Sequence, residues 1–412
     1  MKEIQGRRSP KPYSSAEEIE RSEDLLMEIL LRMGAVTLIR FKCVSKRWCT
    51  LISSPYFSDR HVRRHANITK VTGILLEPEE DDDNRYTVNH NEIKPLLFET
   101  ARYRSSSPLA SVDIDPEDSA YLIQSCNGLL LCKIIHSYSN DVLPPESFFV
   151  CNPTTNSFTF LPDPYKALES HESPWLYMNF AFDPSVSSEY TVICVWKMHE
   201  DSPSYETMVY SSENQSWRQC GSPLMAPANL GLHYGVYFNG SIHWICFDDD
   251  HDEMSLSLRF DLTEELLRDD TMPPVPDLDY FYFPAVACGH LNLVGFGDVS
   301  TYINIIRVYQ MTNDYSEWVL LHTVDLSLHW SYDIISSFDF AFKVLHLIPD
   351  PAEEAGDCSH MSLVMVVNSS LVLFRLKDHT LQPICDYFLK SSNQWLHSPP
   401  ISFEYIESLV QL

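Results

Sequence analysis

Basic side chains are scarce in this sequence: 29 lysines and arginines stand against 57 aspartates and glutamates, a formal net charge of -28 over 412 residues. A field of that sign repels polyanions at long range, which counts against nucleic acid and acidic membrane surfaces as partners. No Cys-x-x-Cys pair occurs among eleven scattered cysteines, and an odd count without a framework reads as reduced intracellular thiols. No apolar run approaches a membrane span, and the opening MKEIQGRRSPKPYSS has no apolar centre that would serve as a signal peptide. The expected location is the cytoplasm and/or nucleus, so the sequons at Asn67, Asn214, Asn239 and Asn368 are expected to stay unmodified.

Catalytic signatures are missing as well. No Gly-x-Ser-x-Gly elbow, Walker loop or His-Glu-x-x-His helix is present, and Gly295-Phe296-Gly297 lacks the third glycine and the helix of a dinucleotide loop. His61 and His65 stand four apart without further ligands at metal-site spacing, which reads as a solvated basic face. Asp248, Asp249, Asp250, His251, Asp252 and Glu253 lack the ordered ligand and glycine spacing of a calcium loop and read as a charged hairpin tip. No metal, no cofactor and no catalytic residue is expected.

What the chain does have is apolar bulk: 44% hydrophobic residues, with 21 tyrosines and 21 phenylalanines, is ample for a core, and the length allows a small module plus a large domain. The sharpest pattern is the run from Glu20 to Phe57. Leu25, Leu26, Ile29, Leu30 and Met33 lay an apolar stripe along a helix that Ser22 would cap, with Glu23 and Asp24 in its first turn and Gly34 as a left-handed stop. A second helix is expected from near Thr37, with Leu38, Phe41 and Val44 on one side. A third carries Trp48, Leu51 and Ile52 before Ser53-Ser54-Pro55 breaks it.

Fewer than about forty residues cannot bury so many large apolar groups among themselves, so part of the stripe must meet a partner. A module packed only on its own domain is the plainer alternative. DNA binding through Arg40, Lys42, Lys46, Arg47, Arg60, Arg63 and Arg64 is opposed by the net charge.

Residues up to 16 read as a flexible tail, Arg60 to His65 as a basic connector and Val71 to Leu76 as the first β run. Two polar stretches read as loops: the acidic cluster Glu77 to Asp83 around Pro78, and the serine-rich Arg102 to Pro108.

From Ala120 onward short apolar or alternating runs separated by turn signals argue an all-β domain, and they recur as a loose repeat of roughly 50 to 65 residues. One half of the repeat is a strand ending in an acidic or amide turn and followed by an aromatic or proline. It appears as Phe149 to Pro162, Val209 to Arg218, Arg259 to Pro274, Val308 to Trp318 and Leu373 to Pro383. The other half is a preceding inner strand, marked by Asn127-Gly128 and Asn239-Gly240, where positive φ permits a tight turn. Similar inner strands are expected at Asn179 to Asp183, His290 to Phe296 and Met361 to Val367. The period fits a β-propeller-like domain of about six blades, with five or seven as neighbours, closed by the N-terminal β run meeting the C-terminal segment. In Tyr280-Phe281-Tyr282-Phe283, flanked by Pro276 and Pro284, rigid aromatics suit a target-recognition surface, and alternation in a β protein equally suits a half-buried strand.

Two family resemblances follow from these residues. Asp24-Leu25-Leu26, Glu28 to Arg32, Leu38 to Trp48 and Leu51 to Phe57 together resemble an F-box. The Asn127-Gly128 strand with Cys151 to Thr155, Phe180 to Pro184, Gly235 to Gly240 with His243-Trp244, and the ending Tyr405 to Val410 resemble the F-box-associated domain of a large plant group. The implied layout is mainly β: a three-helix F-box-like module over residues 17–60, then an F-box-associated propeller-like domain over 70–412.

The resemblance implies docking on a Skp-family adaptor, and through it a cullin, in a ubiquitin ligase whose substrate receptor this chain would be. The adaptor-binding residues expected are Leu25, Ile29, Leu30, Leu38, Phe41, Val44 and Trp48, and the target-binding residues Tyr280, Phe281 and Tyr282, with the target protein itself unspecified. The family pattern usually has Leu-Pro at Arg21-Ser22 and a proline at Gly34, departures that would weaken adaptor binding. The alternative is a non-catalytic propeller scaffold without ligase assembly.

Overall fold

The computed structural model describes residues 19, 21–65, 71–76, 94–97, 102–103, 109, 112–115, 117–137, 146–168, 174–228, 230–246, 256–269, 271–276, 281–296, 305–328, 342–351, 360–367, 370–386 and 402–412. The acidic stretch 77–83, residues 104–108 and the segment 248–253 lie outside the described residues, whereas Arg102–Tyr103 is a strand.

Four helices open the chain: α1 (Glu23–Leu30), α2 (Ala35–Phe41), α3 (Lys46–Ile52) and α4 (Pro55–His65). Three helices and a basic connector were expected; the connector is instead the last turns of α4. Helix α3 ends at Ile52, before Ser53-Ser54-Pro55 as the sequence suggests, and Pro55 also starts α4, because a proline at the first helical position gives up only an N–H that would have no intrahelical partner. The Ser54 Oγ accepts from the Phe57 N–H at 3.2 Å and caps it.

Among the described residues, six four-stranded antiparallel sheets follow. Blade 1 consists of Ser402–Tyr405, Gly73–Leu76, Lys94–Leu97 and Arg102–Tyr103, from the inside outward. Blade 2 begins with inner strand Ser119–Cys126, blade 3 with Trp175–Phe182, blade 4 with Val236–Phe238, blade 5 with Phe281–Ala287 and blade 6 with Phe342–Pro349. Each inner strand touches the inner strands of the blades before and after it, so the six form a closed ring.

Closure works as the sequence suggests: Gly73 to Leu76 pairs antiparallel with Ser402 to Tyr405, register Gly73 to Tyr405 and Leu76 to Ser402. Side chains on the inner strands stitch the blades together. Gln124 accepts from the Phe180 N–H at 2.7 Å and donates to the Phe180 carbonyl at 3.1 Å; Asn179 Oδ1 accepts from the Gly235 N–H and the Trp244 indole; Ser125 donates to the Glu404 carbonyl at 2.7 Å.

The turns explain the sequence repeat. Asn127 and Gly128, at φ 47° and 91°, join the inner strand of blade 2 to its second strand, and Asn239 and Gly240, at 47° and 73°, do the same in blade 4. The Asn-Gly runs therefore lead into the second strands, Leu129–Ile135 and Ser241–Cys246, rather than forming the innermost ones; His290–Phe296 and Met361–Val367 are second strands too. The acidic or amide turns join third to fourth strands, and each contains a residue at positive φ: Asn156, Gln215, Glu265, Tyr315 or His379. Both kinds of turn lie on one side of the ring, the near face. Links from second to third strands and from blade to blade lie on the far face, because successive antiparallel strands alternate in direction.

Candidate functional site

The helical module is built around a small core to which α1 contributes Leu26, Met27, Leu30 and Leu31, and the rest contribute Ala35, Leu38, Leu51, Ile52, Phe57 and Val62. Ser22 caps α1 by accepting from the Leu25 N–H at 3.4 Å, and Ser45 caps α3 by accepting from the Trp48 N–H at 3.2 Å. Gly34 does not end α1 in a left-handed turn. It sits at φ -65°, ψ 153° and begins α2 without a capping side chain. Glu28 ties α1 to α4, receiving Arg60 at 3.0 Å and Arg64 at 3.2 Å.

The expected adaptor-binding residues divide into three groups. Leu25, Ile29 and Val44 are 52%, 42% and 60% exposed and lie outside the apolar core of the module. Phe41 and Trp48 are half-buried, pack against that core and meet edge to face at 5.5 Å. Leu30 and Leu38, by contrast, are 1% and 0% exposed and belong to the core. Their expected role as partner contacts is corrected: they hold the helices together. Arg32, Arg40, Lys46 and Arg47 are also exposed, and residues 21–65 carry nine basic side chains against four acidic ones in an otherwise strongly acidic chain.

His61 is no part of a solvated face. It is buried, its Nε2–H donates to the Met33 carbonyl at 2.8 Å, its ring stacks on His65 at 4.1 Å, and burial pulls its pKa down to about 4. It fastens the end of α1 to α4.

The module sits on the near face of blades 2 and 3, and residues 406–412 run between the two. Asn152 at the outer turn of blade 2 donates to the carbonyls of Ser408 and Val410 at 3.1 and 2.8 Å, while its Oδ1 accepts from the N–H of Thr154 at 2.8 Å. From the helical side, Ser58 Oγ donates to the Leu409 carbonyl at 2.5 Å, and Gln411 reaches back to the Ser53 carbonyl at 2.9 Å. Leu409 and Val410 share one apolar cluster with Leu26, Leu30, Phe57, Phe180 and Tyr190, so helices, tail and propeller form a continuous core. Nothing in the sequence singled out Asn152 or Ser58 for this; each bond joins residues more than 250 positions apart.

Of the expected target-binding residues, Tyr280 lies outside the described residues. Phe281 and Tyr282 open the inner strand of blade 5 at its far-face end.

Among the described residues, a four-helix module with exposed large aliphatic side chains sits on the near face of a six-bladed propeller. An F-box domain model matches residues 22–60, and a model of the F-box associated beta propeller domain matches residues 85–284. The chain belongs to the F-box proteins that carry an F-box-associated β-propeller domain. Similar curated proteins include an F-box protein of Arabidopsis thaliana, 27% identical over 397 residues and covering 91% of this chain and 87% of its own length. A second Arabidopsis thaliana F-box protein is 24% identical over 258 residues, spanning 59% of this chain and 58% of its own length. An F-box/kelch-repeat protein of the same plant is 26% identical over 258 residues, spanning 58% and 55%.

Proposed function

We propose that the chain is the substrate-recognition subunit of a Skp-cullin-F-box ubiquitin ligase, acting in the cytoplasm and/or nucleus. The observation that carries this is the patch of Leu25, Ile29 and Val44, backed by Phe41 and Trp48, on a module whose core is complete without them. Covering each large aliphatic side chain contributes roughly 1.5–3 kcal/mol, which is the energetics of a helical face laid into an apolar groove. The groove belongs to a Skp-family adaptor, which brings the cullin, and the propeller captures a target protein.

In this role the chain makes and breaks no bonds. It raises the local concentration of a target lysine beside a ubiquitin-charged enzyme. Because the tail fastens the module to blades 2 and 3, captured target and adaptor stand in a fixed relation. Neither nucleic acid nor membrane enters this scheme.

The test is a titration of the purified chain with a Skp-family adaptor beside a Leu25→Asp, Ile29→Asp variant. Both positions are exposed, so the variant keeps its fold. Binding by the native chain and a loss of at least a hundredfold in the variant are expected. A folded native chain that does not bind would leave the scaffold without ligase assembly as the reading.

A further inference from the structure

At the far-face end of blade 2, three polar side chains are joined in one line of hydrogen bonds. Asp118 stands just before the inner strand, His136 just after the second strand and Ser147 near the start of the third, Glu146–Asn152. They are 18 and 11 positions apart in the chain, a spacing set by the strands and invisible to any short motif. His136 Nδ1 lies 2.6 Å from Asp118 Oδ2, and its Nε2 lies 2.8 Å from Ser147 Oγ.

The direction of these bonds follows from the groups. A carboxylate only accepts, so in the neutral ring Nδ1 carries the proton and donates to Asp118, while Nε2 keeps its lone pair and accepts from the Ser147 hydroxyl. Asp118 Oδ1 accepts from the Ser137 N–H at 2.9 Å, which holds the carboxylate against rotation. Glu146, the neighbouring carboxylate, points to the other face of its strand, where Lys133 at 3.1 Å and Tyr165 at 3.2 Å occupy it. Exposure rises outward: the Asp118 side chain is 13% exposed and that of His136 32%, and Ser147 is half-buried, so the hydroxyl end is the open one. Nucleophile, base and orienting acid thus stand in the order and at the separations that acyl transfer to serine requires.

We infer that Ser147 is a nucleophile toward small esters with a good leaving group, with His136 as its general base and Asp118 as the residue that positions the ring. The inference is independent of the receptor reading. Ser147 Oγ forms a bond to the ester carbonyl carbon while its proton passes to His136 Nε2. When the adduct collapses, the bond to the leaving oxygen breaks, the electron pair stays on that oxygen and the proton follows it from Nε2. Water then attacks the acyl-serine, gives a proton to Nε2, and the carboxylic acid leaves as that proton returns to Ser147.

The experiment treats the full chain with p-nitrophenyl acetate, follows nitrophenolate release and locates the acetyl group by mass spectrometry after acid quench. In the native chain, acetylation of Ser147 should exceed that of an exposed serine such as Ser188 by about a hundredfold, the scale of a positioned base. His136→Gln should lose that advantage, and Asp118→Asn, whose amide donates to Nδ1 and reverses the tautomer, should lose at least about tenfold of it. Free imidazole should restore Ser147 acetylation in His136→Ala, a rescue that a ring of purely structural role would not give. Acetyl groups found on lysines alone, or on Ser147 no faster than on Ser188, would overturn the inference from the native chain, whether or not the variants fold. So would native rates at Ser147 in folded His136→Gln.

Discussion

Asn127, Asn239 and Ser22 were legible because each performs a local task that its own chemistry fixes: positive φ in a tight turn, or an oxygen for an orphan N–H. Leu30 and Leu38 were not. Leu25 and Ile29 repeat with the same spacing as Leu26 and Leu30, one residue earlier, and only the docking of α2 to α4 decides which row is covered. Gly34 was taken for a stop by residue type, yet its φ of -65° is open to any side chain and a Cβ there would meet nothing within 4 Å. Gly34→Ser should therefore stabilise the chain by about 0.5–1 kcal/mol, through a new cap on α2 and a stiffer unfolded state, read as a higher midpoint in urea. Gly128→Ala should do the reverse by more than about 1 kcal/mol, since φ is 91° and a Cβ would lie 2.7 Å from the Ser408 Cβ. His61 gives a pH signature. Its folded pKa of about 4 lies below the ordinary value of 6.5, so the unfolded chain takes up a proton that the folded one refuses. Stability is full above pH 6.5, falls as pH drops from 6.5 toward 4 by on the order of 2–3 kcal/mol, and levels off below. A His61→Gln variant should flatten that limb of the denaturation profile.

The sheet repeat was visible at the level of elements because the outer hairpins of blades 2 to 6 turn through polar residues with one at positive φ, and Asp261 shows how such a turn is held: its Oδ1 accepts from the N–H groups of Thr263 and Glu264 at 2.9 and 3.0 Å. Which strand of a blade is innermost was less visible, since buried second strands and inner strands share the same apolar composition. Helix α4 went unseen because its proline and its basic last turn look like a linker, while Phe57, Ser58, His61 and Val62, the residues that bury, are spaced among charges. The tail between helices and propeller offers the sharpest element-scale prediction. Asn152→Ala removes the donor to Ser408 and Val410 and the acceptor for the Thr154 N–H, all buried. It should destabilise the chain by on the order of 3 kcal/mol and expose the sites around Ser53 and Leu409 to limited proteolysis, while the outer blades 4 to 6 keep their protection against hydrogen exchange.

For the whole molecule, the period gave about six blades, with five or seven as neighbours, and a propeller implied that the two ends of the domain meet, but the seat of the helices was not legible, because contacts across hundreds of residues leave no local pattern. Ending the chain at residue 401 would remove the inner strand of blade 1 and with it the pairing to Gly73 to Leu76. The ring would open between blades 6 and 2, and a cooperative thermal transition should give way to a broad one at lower temperature. The charge division between a module with nine basic and four acidic side chains and a chain of net charge -28 makes one prediction: a partner drawn to the module by charge should associate more slowly as ionic strength rises, measured as association rates.

Among the described strands Ser402–Tyr405 comes last in chain order, yet residues 402–410 supply both the innermost strand of the first blade and the wedge under the helices. A growing chain can shape blades 2 to 6 as they emerge but can neither shut the ring nor seat its helices until those last residues appear. Synthesis itself thus acts as a timer. A product released before this segment would hold its helices unseated above an open ring, so the placement of the helices on the near face is set only in chains that include it.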